Sequence, residues 1–209
     1  MPVVNSNITP LMFHYFEEIS RIPRGSGNEK GIADYLVAFA DARGLACYRD
    51  EENNVLIKMK ATTGRESDAP VLLQGHTDMV CEKLPEVEHD FLRDPLKLYV
   101  EDGWLKAKGT TLGADDGIAV AAMLAILDGA VSSHPALECL FTTAEETGMD
   151  GAVAFDFSRV SARKLLNLDS ACEWEVVCGC AGGVFRWVEF GVCVVLGMDA
   201  PLFFYMEKK

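Results

Sequence analysis

The sequence predicts an α/β fold in which a mixed sheet is flanked by helices. Segments with apolar residues at helical spacing alternate along the chain with short apolar runs of strand length, which indicates α/β architecture. Two pairs of neighbouring runs carry hairpin signals, so the sheet is expected to mix antiparallel with parallel pairing. A chain of 209 residues is also long enough to bury a substantial core.

Taken in order, Thr9 is expected to cap a first helix in which Leu11, Met12, Tyr15, Phe16 and Ile19 recur at helical spacing, ending before Pro23. Arg24-Gly25-Ser26-Gly27-Asn28 reads as a plain loop. It follows a helix and lacks a Walker lysine, so it is not a phosphate loop. Asn28 or Ser26 would cap a second helix carrying Ile32, Tyr35, Leu36 and Phe39, which Gly44 stops. Residues 45–48 and 55–59 form two strands around a polar turn. Val71, Leu72 and Leu73 form a buried strand that Gln74 and Gly75 break, just where His76 and Asp78 appear. The long acidic connection 82–94 is a candidate cover for a site. Residues 96–100 and 104–107 form a hairpin, and a buried alanine-rich helix spans 118–127. A strand over 136–143 precedes Glu145-Glu146. Phe155 and Phe157 pack near a short helix, and a last strand over 164–168 ends on Asp169.

Composition narrows the function. Lys and Arg total 19 against 32 Asp and Glu, for a net charge of -13. Such an excess of acid argues against a nucleic-acid partner, whose phosphates need a basic face, and against an anionic membrane surface. Residues 1–16 lack the basic start and apolar run of a signal peptide, so a cytoplasmic location is expected. The apolar region 184–206 is interrupted by Arg186, Glu189 and Asp199. It falls short of the roughly 20 residues that span a bilayer and is expected to be core or an unpaired sheet segment. Seven cysteines, an odd number, read as free thiols of a reducing compartment.

The acidic residues that matter lie at strand and loop ends. In α/β sheets, ligands gather at the carboxyl ends of strands. The predicted strand and loop ends deliver His76, Asp78, Asp115, Glu145, Glu146 and Asp169. Several carboxylates meeting one imidazole would repel each other unless cations neutralised them, so the pattern points to a divalent metal: zinc, or manganese or cobalt. An imidazole with a carboxylate two residues on suits a ligand and the partner that orients it.

These residues sit in four motifs: Gln-Gly-His-Thr-Asp-Met-Val at 74–80, Thr-Leu-Gly-Ala-Asp-Asp-Gly-Ile-Ala at 111–119, Thr-Ala-Glu-Glu-Thr-Gly at 143–148 and Asn-Leu-Asp-Ser at 167–170. In this order they resemble the dinuclear zinc peptidases of the M20 class, and within it the aminoacyl-histidine dipeptidase branch. The resemblance runs over roughly residues 8–183, including Gly-Cys-Ala-Gly-Gly at 179–183. It implies a zinc-exopeptidase-like catalytic domain that hydrolyses dipeptides of the Xaa-His type. His76, Asp115 and Asp169 would hold one zinc, and Asp115 would bridge to a second held by Glu146. Asp78 would orient His76, Glu145 would act as general base and acid, and Asp116 would shape the turn. An M20 deacylase or carboxypeptidase would share the metal site and differ in its substrate pocket.

The family is about twice this length, with an inserted lid and dimerisation domain and a last histidine ligand. The four histidines here are His14, His76, His89 and His134, and none follows Asp169. The expectation is therefore an incomplete catalytic domain over 1–183, a divergent apolar tail over 184–209, and no lid domain. His89 would be the only substitute ligand, and a catalytically impaired fragment that only binds metal is the competing reading. Sheet edges left without neighbours would favour self-association into a homo-oligomer.

Overall fold

The computed structural model describes residues 8–169, 193–196 and 203–207. Helix α1 is Ile8–Ser20 and α2 is Lys30–Ala42, followed by strands β1 (Ala46–Arg49), β2 (Val55–Met59) and β3 (Val71–His76). A separate two-stranded hairpin pairs β4 (Leu98–Glu101) with β5 (Trp104–Ala107). Helix α3 (Ala114–Ala125) runs into a π turn, Ile126–Ala130, and β6 (Leu137–Thr142) follows. Short helix α4 (Asp150–Ala154), a 3-10 turn at Phe157–Arg159 and β7 (Lys164–Asn167) come next, then β8 (Cys193–Leu196) and β9 (Phe203–Glu207).

Seven strands form one mixed sheet in the order β1-β2-β6-β3-β7-β9-β8. β3 runs parallel to both β6 and β7, while β1–β2, β2–β6, β7–β9 and β8–β9 are antiparallel. Strand alternation divides the core. Ile57, Leu73, Cys139 and Phe141 face a cluster with Phe16, Ile19, Leu36, Met123 and Leu124 from the helices. Leu56, Leu72, Leu140 and Leu165 face a smaller cluster with Phe155, Val160 and Ala162. On that second face Glu138 is buried. It pairs with Lys58 Nζ at 2.7 Å and accepts from the amides of Ser161 and Ala162 at 3.0 and 2.9 Å.

Several local expectations change. Thr9 lies inside the first turn of α1, because the helix starts at Ile8. α2 is preceded by Glu29 rather than capped by Asn28 or Ser26, whose side chains hydrogen-bond elsewhere. β3 does not break at Gln74: ladder pairing with β6 continues through Gly75 to His76. The alanine-rich helix starts at Ala114, so both aspartates lie in its first turn, although their backbone angles are not helical. His134 is buried, with its backbone N–H and C=O both bonded to Thr62. The described parts of the apolar tail are paired strands, which overturns the unpaired-segment alternative of the two expected for it. Cys47, Cys81 and Cys139 are free thiols, whereas Cys172, Cys178 and Cys180, like the motif at 179–183, lie outside the described residues. No described helix is long and apolar enough to cross a membrane.

Candidate metal centre

Topology brings the acids together. β3 lies between β6 and β7 and parallel to both, so the carboxyl ends of all three emerge at one sheet edge. β3 ends on His76, β6 leads into Glu145 and Glu146, and β7 leads into Asp169. Helix α3 packs against β3 and brings Asp115 and Asp116 to the same edge. The approach is close: a Cβ on Gly75 would stand 2.6 Å from Asp116 Oδ2 and 2.9 Å from Ala119 Cβ. Glycine at 75 is thus required by proximity, not by a turn.

His76, 1% exposed, sits at the centre. Its Nδ1 is 3.2 Å from Asp78 Oδ1 and 3.1 Å from the Asp78 carbonyl. Its Nε2 is 3.1 Å from Asp115 Oδ1 and 3.9 Å from both Glu145 Oε2 and Asp169 Oδ2. Asp78 is fully buried and accepts at both oxygens: Oδ1 also from the Glu145 amide at 3.1 Å, Oδ2 from the Glu146 amide at 3.2 Å and from Ser26 Oγ at 2.7 Å. One carboxylate therefore sets both the imidazole ring and the turn that carries the two glutamates. That turn opens with Ala144 in the left-handed region, φ 53°, its amide held by Glu29 Oε1 at 3.2 Å.

The electrostatics are those of crowded negative charge. Burial raises the carboxyl pKa values of Glu145, Glu146 and Asp169, and neighbouring carboxylates raise them further. Asp116 is pushed well above the ordinary range, chiefly by burial. Burial opposes a charge on His76, yet the hydrogen bond to Asp78 and the charges of Asp116, Asp78 and Asp169 outweigh it and push the imidazole up to about 10. Asp78 moves the other way: although burial disfavours its charge, bonds from His76, Ser26 and Glu145 hold it down at about 2.

Among the described residues, two groups could hold a cation: His76 with Asp115 and Glu146, and His76 with Glu145 and Asp169, the ligand atoms of each group lying within 4.8 Å of one another. One imidazole nitrogen with carboxylate oxygens is a donor set that suits zinc, manganese or cobalt. A divalent ion would also relieve the repulsion that raises these carboxyl pKa values, so the residues fit such an ion. Asp115 and Asp169 fall into different groups, a division unlike the one the family resemblance implies. Asp116 belongs to neither; it accepts from the His76 amide at 3.1 Å. His89 is also outside both, its ring edge-on to Phe91. The acidic connection 82–94 pairs with residues 109–111. A hollow of about 580 Å³ lined by Tyr48, Arg49, Asp50, Glu51, Glu52 and Ala154 contains none of the cluster.

Sequence reasoning missed Arg24, Ser26, Glu29 and Asn54. Asn54 is buried, accepts from the Thr143 amide at 3.0 Å and donates to the Gly151 carbonyl at 2.9 Å, bracing the glutamate turn. The only signal for three of them was their crowding in one polar loop.

Residues 72–179 match the model of peptidase family M20/M25/M40. The chain is 43% identical over 180 residues to the cytosol non-specific dipeptidase of Escherichia coli, covering 86% of this chain and 37% of that protein. Its fold is similar to the crystal structure of aminoacylhistidine dipeptidase from Vibrio alginolyticus, with a TM-score of 0.79, 41% identity, and coverage of 86% of this chain and 38% of that one. A tripeptidase from Staphylococcus aureus is similar with a TM-score of 0.67 and 25% identity, over 81% of this chain and 46% of that one. The chain thus spans less than half the length of each of these relatives.

Proposed function

The chain belongs to peptidase family M20/M25/M40, and from that membership we propose that it hydrolyses dipeptides, of the Xaa-His type among others, by metal-dependent chemistry at the His76 cluster. The observation that carries the reading is one buried imidazole within 4 Å of the carboxylates of Asp115, Glu145 and Asp169. The dipeptidase names of two relatives favour dipeptides over the substrates of a deacylase or carboxypeptidase. The name of the Escherichia coli relative also favours a cytosolic location.

His76, Asp115, Glu146 and Asp169 would hold divalent metal, zinc with manganese or cobalt as substitutes, which when bound lowers the pKa of water and polarises the scissile carbonyl. Asp78 would accept a hydrogen bond from His76 Nδ1–H and so leave the Nε2 lone pair facing the carboxylates when metal displaces its proton. Glu145 is the general base: it takes the proton of the attacking water and returns it to the departing amine. Its partial burial, which disfavours the charged carboxylate with or without a metal, suits both halves of that task, because a carboxyl closer to neutrality can accept and release a proton. Asp116 is a structural acceptor. Among the described residues, edge strands β1 and β8 each have one unpaired side, which supports self-association.

The test is metal content by atomic emission together with dipeptide hydrolysis on the same sample. Glu145→Gln should keep its metal and lose turnover by about 10²–10⁴-fold, the worth of a positioned base. Unchanged hydrolysis would reject Glu145 as base, and metal without turnover in the parent would favour the metal-binding fragment instead.

A further inference from the structure

The loop between α1 and α2, residues 24–29, is tied to every segment that carries the cluster's ligands except the one that leads to Asp169, and the proposed reaction uses none of its side chains. Arg24 is 1% exposed. Burying a guanidinium is costly unless its N–H groups are met, and here backbone carbonyls meet those of Nη1 and Nη2, while Nε is buried without a partner among the described residues. Nη1 donates to the carbonyls of Thr77 at 2.9 Å and Asp78 at 3.3 Å, and Nη2 donates to that of Gly113. Thr77 and Asp78 follow His76 directly, and Gly113 stands two residues before Asp115. Ser26 adds its bond to Asp78, Glu29 adds its bond to the Ala144 amide, and Gly25 pairs with Met79 as an isolated parallel bridge.

The Gly113 loop is shaped around this guanidinium. Gly113 has φ +64°, and a Cβ there would stand 2.6 Å from Arg24 Nη2. Burial lowers the Arg24 pKa to about 10, with the carboxylates of Asp116 and Asp78 opposing the fall, so the group is charged at neutral pH. The planar fork matters as much as the charge, because one nitrogen serves the His76 loop while the other serves the Asp115 loop.

We propose that Arg24 is a positioning residue that sets the separation of His76 and Asp115 by bridging the carbonyls on either side of the candidate metal site. The proposal rests on the metal reading above. Lysine keeps the charge at position 24 but gathers its donors on one nitrogen, without the planar fork whose two nitrogens each reach one loop.

The test is cobalt(II) titration of the 209-residue chain against a competing chelator, with the visible absorption of the bound ion recorded. Arg24→Lys should bind cobalt at least tenfold more weakly than the parent, with an altered visible spectrum. Arg43→Lys is the control. Arg43 pairs with Asp128 at 2.6 Å and donates to Tyr15 Oη at 2.9 Å, far from the ligand loops in the sequence, so this variant should bind cobalt like the parent whatever its stability. Parental affinity and spectrum in Arg24→Lys would overturn the proposal and leave the metal reading intact. A parent that binds no cobalt would overturn both. Should Arg24→Lys fail to fold, Gly113→Ala, which crowds the same guanidinium from the other side, is expected to show the same weakening. Misfolding of both variants would overturn the proposal, by showing that Arg24 holds the fold and not the spacing of two loops.

Discussion

Replacing Asp78 by Asn isolates one carboxylate without changing its shape. Each Asp78 oxygen receives two donors: Oδ1 from His76 Nδ1 and the Glu145 amide, Oδ2 from Ser26 Oγ and the Glu146 amide. An asparagine can satisfy only one of these pairs. The less costly orientation turns its NH₂ toward Ser26, whose hydroxyl can rotate to accept, but this leaves the Glu146 amide facing another donor. The loss is then one charge-assisted bond plus a partly buried amide without an acceptor, together about 2–4 kcal/mol. The pH dependence has a fixed sign. Asp78 titrates near 2 when folded, against about 3.9 unfolded, so its contribution is complete above about pH 4 and is lost as pH falls toward 2. Urea denaturation of parent and Asp78→Asn, without added metal, should show the full gap at pH 7 and a narrowing gap below pH 4. A gap under about 0.5 kcal/mol at pH 7, within the range of an ordinary surface substitution, would refute the claim that this side chain holds the glutamate turn.

Two further outcomes follow from buried charge. His76 has its pKa raised to about 10 against about 6.5 unfolded. In metal-free protein its contribution is complete below pH 6.5 and lost as pH rises through 10, so the stability gap between parent and His76→Gln should close over that interval in denaturation curves. Metal must displace the same proton, so cation affinity should rise about tenfold per pH unit between pH 7 and 9, and a flat profile in calorimetric titrations would count against His76 as ligand. Glu138 lies on the opposite face of the sheet from the main core, and despite burial its bonds to Lys58, Ala162 and Ser161 hold its pKa below the ordinary value. Glu138→Ala orphans the amides of Ser161 and Ala162 and should cost about 2–4 kcal/mol at pH 7 by chemical denaturation. That cost should be complete above about pH 4.3 and shrink as pH falls through the lowered pKa, whereas a pH-independent difference would show that packing dominates.

The sequence alone determined the elements and the candidate ligands. Apolar spacing located α1, α2 and the strands at 46–49, 55–59, 137–142 and 164–167, because a helix or a strand writes its period into residues a few positions apart. Polar residues just past the strand ends located His76, Glu145, Glu146 and Asp169 for the same local reason. Boundaries were less legible. Gly75 reads as a strand breaker until Asp116 and Ala119 are seen pressing on it from α3. The distant partners of Asp78, 52 to 68 residues away along the chain, were not legible at all. Arg24, whose acceptors lie 53 to 89 residues away, was equally hidden. Those pairings exist because β3 inserts in parallel between β6 and β7, and strand order is settled by the packing of whole elements, on which the period of any one segment is silent. That Asp78 orients His76 was legible from their spacing of two residues, whereas tertiary structure alone decided that the same carboxylate binds the glutamate turn and which side chain joins the two loops.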